Sequence, residues 1–332
     1  MYFRLRSSIV ALAAAVMLAA PAAAQDAATG TITVYTSQPN DQMTAVVDAF
    51  RKDHPGVSVE IFRAGTTELM AKLQAEFAAG NSPADVLLIA DTIAMTQLKN
   101  DKRLMPYAEA PVADIPATLV DPDKTYFGTK LITTGIVYNT QKVQTPPTSW
   151  ADLKDETVAS QLIMPSPLYS GAAVIHVGTV TQQPDFGWDY YQALADAGAV
   201  AGQGNGTVIE AVARGEKAYG IIVEYMAMNA KAKGSPVDFV FPAEGVSTIT
   251  QPVAILAGTD NPEAAKAFVD WQLGRAAQEQ SVAQGYFPVI AGMAPPTGYP
   301  DQATLKVLPT DAARLLADES DLKMRFSDLF GG

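Results

Sequence analysis

Between residues 31 and 89 the hydrophobic period of the chain switches repeatedly, and this alternation limits the possible folds more than any other feature. Residues 31–35, Thr-Ile-Thr-Val-Tyr, are β-branched and alternate as a strand does. Met43, Val46, Val47 and Phe50 then recur at helical spacing over residues 43–52. The pattern repeats, with 57–62 reading as strand, 67–79 as helix and 85–89 as a buried strand. Successive βαβ units predict a parallel or largely parallel sheet covered by helices. In such open sheets ligands bind outside the carboxyl ends of the strands. Loops rich in Gly, Ser, Thr and Asn follow those ends at 36–40, 65–67 and 90–92.

Residues 132–139 read as a strand that carries the chain out of this first unit, and Pro146-Pro147 with residues 149–153 opens the next. A second α/β unit follows: a strand at 162–164, helices at 172–181 and 188–197, a short helix at 208–214 and a strand at 218–223. Residues 248–256 are apolar and β-branched enough to return the chain to the first unit, where 262–273 makes a capped amphipathic helix. Two crossings imply two lobes, a hinge and a cleft. The expected division puts 25–132 and 254–332 in the first lobe, with the C-terminal part free to pack across both, and 133–253 in the second.

The N-terminus carries Arg4 and Arg6, an apolar run over 9–20, and Pro21-Ala22-Ala23-Ala24 ahead of Gln25. This reads as a secretory signal peptide cut after Ala24, since the apolar run is shorter than the roughly 20 residues that span a bilayer. The chain has no cysteine, which rules out a disulfide framework and lipid attachment at an N-terminal Cys. In a bacterium the expected location is the periplasm. Cleavage would remove two arginines and no acidic residue, taking the net charge from -12 to -14. An acidic chain without a Lys/Arg cluster repels a phosphate backbone, so nucleic acid is not an expected partner.

The motifs Thr36-Ser37-Gln38, Gly65-Thr66-Thr67-Glu68-Leu69, Ser82-Pro83-Ala84-Asp85-Val86, Gly135-Ile136-Val137-Tyr138-Asn139, Ser170-Gly171-Ala172 and Arg214-Gly215-Glu216, in this order, resemble those of an extracellular solute-binding protein of an ABC importer. The resemblance covers nearly all of the chain after residue 24. It is strongest to the branch of ferric-ion, 2-aminoethylphosphonate and hexose-phosphate binders, and most of all to an aminoethylphosphonate-binding protein. It implies a type II periplasmic binding fold of two α/β lobes, no catalysis, no cofactor, the importer's membrane subunits as partners, and a monomer.

The resemblance places ligand contacts in the cleft loops. Ser170, Gly171 and Ala172, Asn205, Gly206 and Thr207, and Thr66 with Thr67 open three helices, where backbone N–H groups beside a hydroxyl or amide can hold an anion without any arginine. Ordinary N-capping accounts equally well for each motif taken singly. Asp91 and Glu224 lie in stretches that contact ligand in the family and would pair with an ammonium group; capping a helix or facing solvent is the competing reading. Thr133, Thr134 and Tyr225 would add hydrogen bonds, and Ser37 with Gln38 would line the opposite lip. The expected ligand is a small zwitterionic organophosphorus compound, with 2-aminoethylphosphonate leading.

Ferric iron and a hexose phosphate are the alternatives within the class. In the ferric branch two consecutive tyrosines follow this strand, whereas here the order is Glu224-Tyr225-Met226, and a thioether is a soft donor poorly matched to Fe(III). Tyr190-Tyr191 falls mid-helix and reads as packing, and His54 and His176 read as structural. No His, Asp and Glu spacing suggests a chelated metal. An exported phosphoester hydrolase is the rival from another class. It would need a nucleophile elbow or a histidine near a candidate serine, and the sequence has neither.

Overall fold

A computed structural model describes residues 28–331. The expected signal peptide lies outside them. β1 (Gly30–Thr36), α1 (Asn40–Asp53), β2 (Val57–Arg63), α2 (Thr66–Ala78), β3 (Val86–Leu88) and α3 (Thr92–Asn100) build the first lobe. β1 runs parallel to both β2 and β3 and lies between them. Its alternation is enforced by burial: Ile32 and Val34 face one core with Phe50, Val86, Leu88 and Phe268, while Tyr35 faces the other with Leu69, Leu73 and Leu87.

The long β4 (Tyr126–Asn139) crosses into the second lobe, which contains α4 (Glu156–Ala159), β5 (Leu162–Pro165), α5 (Gly171–Thr181), α6 (Gly187–Asp196), β6 (Val200–Gly202), α7 (Asn205–Ala213), β7 (Tyr219–Val223), α8 (Glu224–Ala232) and β8 (Val237–Val240). Here β5 lies between β6 and β7, parallel to both. β9 (Ser247–Ile255) returns the chain, and α9 (Pro262–Leu273), α10 (Arg275–Ala283) and α11 (Ala312–Phe330) complete it.

All nine strands form one sheet, ordered β2-β1-β3-β9-β4-β7-β5-β6 with β8 pairing β4. The expectation of a largely parallel sheet holds only within each lobe. The two strands that cross between lobes run against their neighbours, β9 against β3 and β4 against both β9 and β7, so the sheet is mixed. The β4–β9 ribbon is the hinge, and its register shifts between Gly128 and Leu131. Lys130 sits in that irregularity, fully buried, and donates to Gln38 Oε1 at 3.0 Å. Its ammonium lies 4.5 Å from the centre of the Tyr286 ring, and burial lowers its pKa to about 7.

The C-terminal helix packs on the second lobe, with Leu315, Leu322 and Phe326 of α11 buried in that lobe's core. Gly178 makes this possible, because a side chain there would collide with Leu315. Among the described residues, no helix is long and apolar enough to cross a membrane.

Candidate ligand-binding cleft

Parallel β-α units impose the geometry of the cleft. A helix that follows a strand starts where the strand ends, so strands pointing at the cleft deliver helix N-termini to it. Five helices do so: Asn40 of α1, Thr66 of α2, Ala172 of α5, Asn205 of α7 and Tyr225 of α8 all line one cavity of about 530 Å³. Each terminus presents unsatisfied backbone N–H groups and the positive end of a helix dipole. Together they make a concentrated field that favours an anion.

Hydroxyl and amide side chains supplement the backbone. Ser170 caps α5, its Oγ accepting from Ala173 N at 3.3 Å and from Asn205 Nδ2 at 3.1 Å. Asn205 Oδ1 in turn accepts from Val223 N at 3.3 Å. This chain of bonds ties together the ends of α5, α7 and β7 and leaves the Ser170 O–H free to donate. Across the cleft, Ser37 Oγ accepts from Ala90 N at 3.0 Å, which likewise frees its proton. Of the residues expected at the site, Ser37, Thr66, Ser170, Ala172, Asn205, Gly206, Thr207 and Tyr225 line this cavity.

The others do not line it. Gln38 is buried behind the lip between Lys130 and Gln284, while Thr67 is half-buried beside the cavity without lining it. Thr133 and Thr134 are buried within β4, opposite Thr248 and Ser247 of β9. Gly171 serves contact between lobes: a Cβ there would lie 2.8 Å from both Ala90 O and Asp91 Oδ2. Gly65 does the same, with Tyr169 O 3.0 Å from where its Cβ would be. The lobes therefore touch at both positions.

Neither proposed ammonium partner reaches the cavity. Asp91 is buried as the cap of α3, its Oδ1 accepting from Ile93 N and Ala94 N at 2.9 and 3.0 Å. Burial pushes its pKa up to about 6. Glu224 is wholly buried, accepts from Thr133 N at 2.6 Å through Oε2, and has no partner at Oε1. With no cation beside it, burial raises its pKa to about 8, so it is mainly protonated at neutral pH. Both carboxyls are held inside the fold and off the cavity wall.

The cleft also holds charges that the loop motifs did not reveal. Arg63, the last residue of β2, lines the cavity, as does Glu68 in the first turn of α2. The loop motifs suggest anion donors without any arginine, whereas the cavity wall includes Arg63. Both side chains are exposed, and neither joins an ion pair or side-chain hydrogen bond among the described residues. Tyr169 and Gln203 complete the wall. Arg63 was within reach of the rule that ligands sit at the carboxyl ends of strands.

The aromatic and histidine readings fare better. Tyr190 and Tyr191 are core residues, 2% and 0% exposed, with Tyr190 O–H donating to Trp150 O. His176 is buried against Ser247 with its pKa lowered to about 3, and His54 ends α1 stacked on Phe50. Tyr225 stacks on Tyr286 with ring centres 4.3 Å apart, and burial pushes its pKa up to about 12.

A two-lobed α/β molecule with an anion-favouring cleft across its hinge is the architecture of a solute-binding protein. The sequence matches the family model for bacterial extracellular solute-binding proteins over residues 14–279, and the chain belongs to that family. Among its relatives, an Fe(3+)-binding periplasmic protein of Serratia marcescens is 28% identical over 282 residues, 82% of this chain and 81% of that one. A probable ABC transporter periplasmic-binding protein of Sinorhizobium fredii is 28% identical over 268 residues, covering 75% of this chain and 71% of the relative. Among solved structures, AfuA from Actinobacillus pleuropneumoniae with fructose 6-phosphate bound aligns with a TM-score of 0.82 at 23% identity, over 90% of this chain and 98% of that one. Iron-bound HitA from Pseudomonas aeruginosa gives 0.78 at 23% identity, over 89% and 99%.

Proposed function

We propose that this protein captures a small organophosphorus anion, with 2-aminoethylphosphonate the leading candidate, and delivers it as a monomer from the periplasm to the membrane subunits of an ABC importer. The observation that carries this reading is the placement of Arg63 among five helix N-termini in one cavity. A guanidinium presents paired donors matched to phosphonate or phosphate oxygens, and backbone N–H groups supply the rest. Lobe closure about the β4–β9 ribbon would bury the ligand and create the surface that the importer reads. Ser170 accepts hydrogen bonds from Ala173 and Asn205, and neither histidine lines the cavity, so the site supports binding rather than ester hydrolysis.

A hexose phosphate is the second reading, favoured by the volume of the cavity. About 530 Å³ is more room than a two-carbon phosphonate requires and suits a sugar ring. Calorimetric titration of the mature protein with 2-aminoethylphosphonate, glucose 6-phosphate, inorganic phosphate and ferric citrate separates the readings. Arg63→Gln should weaken binding of the organophosphorus ligand by about 10- to 100-fold, the worth of a charge-assisted hydrogen-bonded contact. Undiminished affinity in that variant, or binding of ferric citrate alone, would overturn the proposal.

A further inference from the structure

The cleft contains two opposite charges that the protein leaves unmatched. Arg63 and Glu68 flank the N-terminus of α2 and line the same cavity, yet they form no ion pair with each other or with any other described residue. Glu68 has an obvious partner one helical turn on, since a glutamate four residues before a lysine is the favoured order on a helix. That lysine, Lys72, instead pairs with Glu76 at 2.7 Å. Glu76 is held in turn by Ser82 and Tyr35, so the diversion of Lys72 is part of the packing of the lobe. Glu68 is left facing the cavity as an exposed anion.

A purely anionic ligand would gain from Arg63 and the helix termini and be repelled by Glu68. A neutral ligand would leave both charges unanswered. A ligand with an anionic and a cationic end answers both. We infer that Glu68 is the specificity-determining residue of the cleft, receiving the ammonium end of a zwitterionic ligand whose phosphonate end is held by Arg63. This rests on reading the cleft as an organophosphorus site. It moves the ammonium contact away from Asp91 and Glu224, which are buried and committed to the fold. The arrangement also explains how selectivity arises: ethylphosphonate would keep every contact at its anionic end and leave the Glu68 carboxylate without a partner.

The test compares two probes that differ only at the amine. Wild-type protein should bind 2-aminoethylphosphonate at least about tenfold more tightly than ethylphosphonate, the scale of one charge-assisted contact. Glu68→Gln, an exposed substitution between two good helix formers, should lower affinity for 2-aminoethylphosphonate by about tenfold while changing that for ethylphosphonate by no more than about twofold. Equal losses for both probes, or an unchanged preference for the amine, would overturn the inference and leave the organophosphorus reading standing. Failure of wild-type protein to bind either phosphonate would overturn both.

Discussion

Arg63 and Glu224 show how far a residue's role depends on what surrounds it. Arg63 ends the strand Val-Ser-Val-Glu-Ile-Phe-Arg, at the carboxyl end where ligands bind, yet a terminal charge reads equally as a solvated strand end until the fold sets it in the cavity wall. Glu224 reads as a cleft acid in sequence but is enclosed with Oε1 unpartnered. In an unfolded chain it would ionise near the ordinary value of about 4.3, whereas in the fold it holds its proton up to about 8. The folded state therefore binds the proton more tightly. Its contribution to stability is complete below about pH 4 and is lost as the pH rises through about 8. Glu224→Gln keeps the shape without the ionisation, so its melting temperature relative to wild type should rise between about pH 5 and about pH 9. A wild-type advantage that grows with pH would contradict a neutral buried carboxyl. Ser170 was legible because a small polar residue before a helical run marks a cap, and Asn205 and Thr66 because each follows a glycine as the first residue of its helix. Burial of a long side chain leaves no such local mark.

At the scale of elements, α3 and α5 meet end to end where the lobes touch. Asp91 caps α3 and its second oxygen lies over Gly171, the first residue of α5. Glu319 and Lys323 of α11 face it as well, the first raising and the second lowering its pKa, and burial is the largest influence. In an unfolded chain Asp91 would ionise near about 3.9, whereas in the fold it holds its proton up to about 6. Its contribution to stability is complete below about pH 4 and is lost as the pH rises through about 6. Asp91→Asn retains a good cap but cannot titrate. The melting temperature of the variant relative to wild type should rise between about pH 4 and about pH 7. Identical pH profiles would contradict a carboxyl held protonated by burial. The βαβ elements of both lobes were legible because each has its own period, whereas α10, Arg-Ala-Ala-Gln-Glu-Gln-Ser-Val-Ala, offers too few apolar positions to announce a buried face. The antiparallel course of β4 and β9 was not legible either, since direction within a sheet leaves no trace in periodicity.

For the whole molecule, α11 is the element that joins the end of the chain to the second lobe. Phe326 is fully buried, 4.7 Å from Phe330 and 6.1 Å from Tyr191 between ring centres. Phe326→Ala should cost about 3–5 kcal/mol of unfolding free energy, measured by denaturant titration, because the cavity would lie between helices already fixed by Gly178. A loss below about 1 kcal/mol would mean that α11 is not integral to the lobe core. A single continuous sheet runs through both lobes. Backbone hydrogen bonding continues from β2 through β9 and β4 to β6, so the joint between the lobes is a twisted ribbon rather than a pair of flexible tethers. Such a joint behaves as a torsion spring. Strand twist would set its resting angle, and a bound ligand would have only to hold the spring at a different turn.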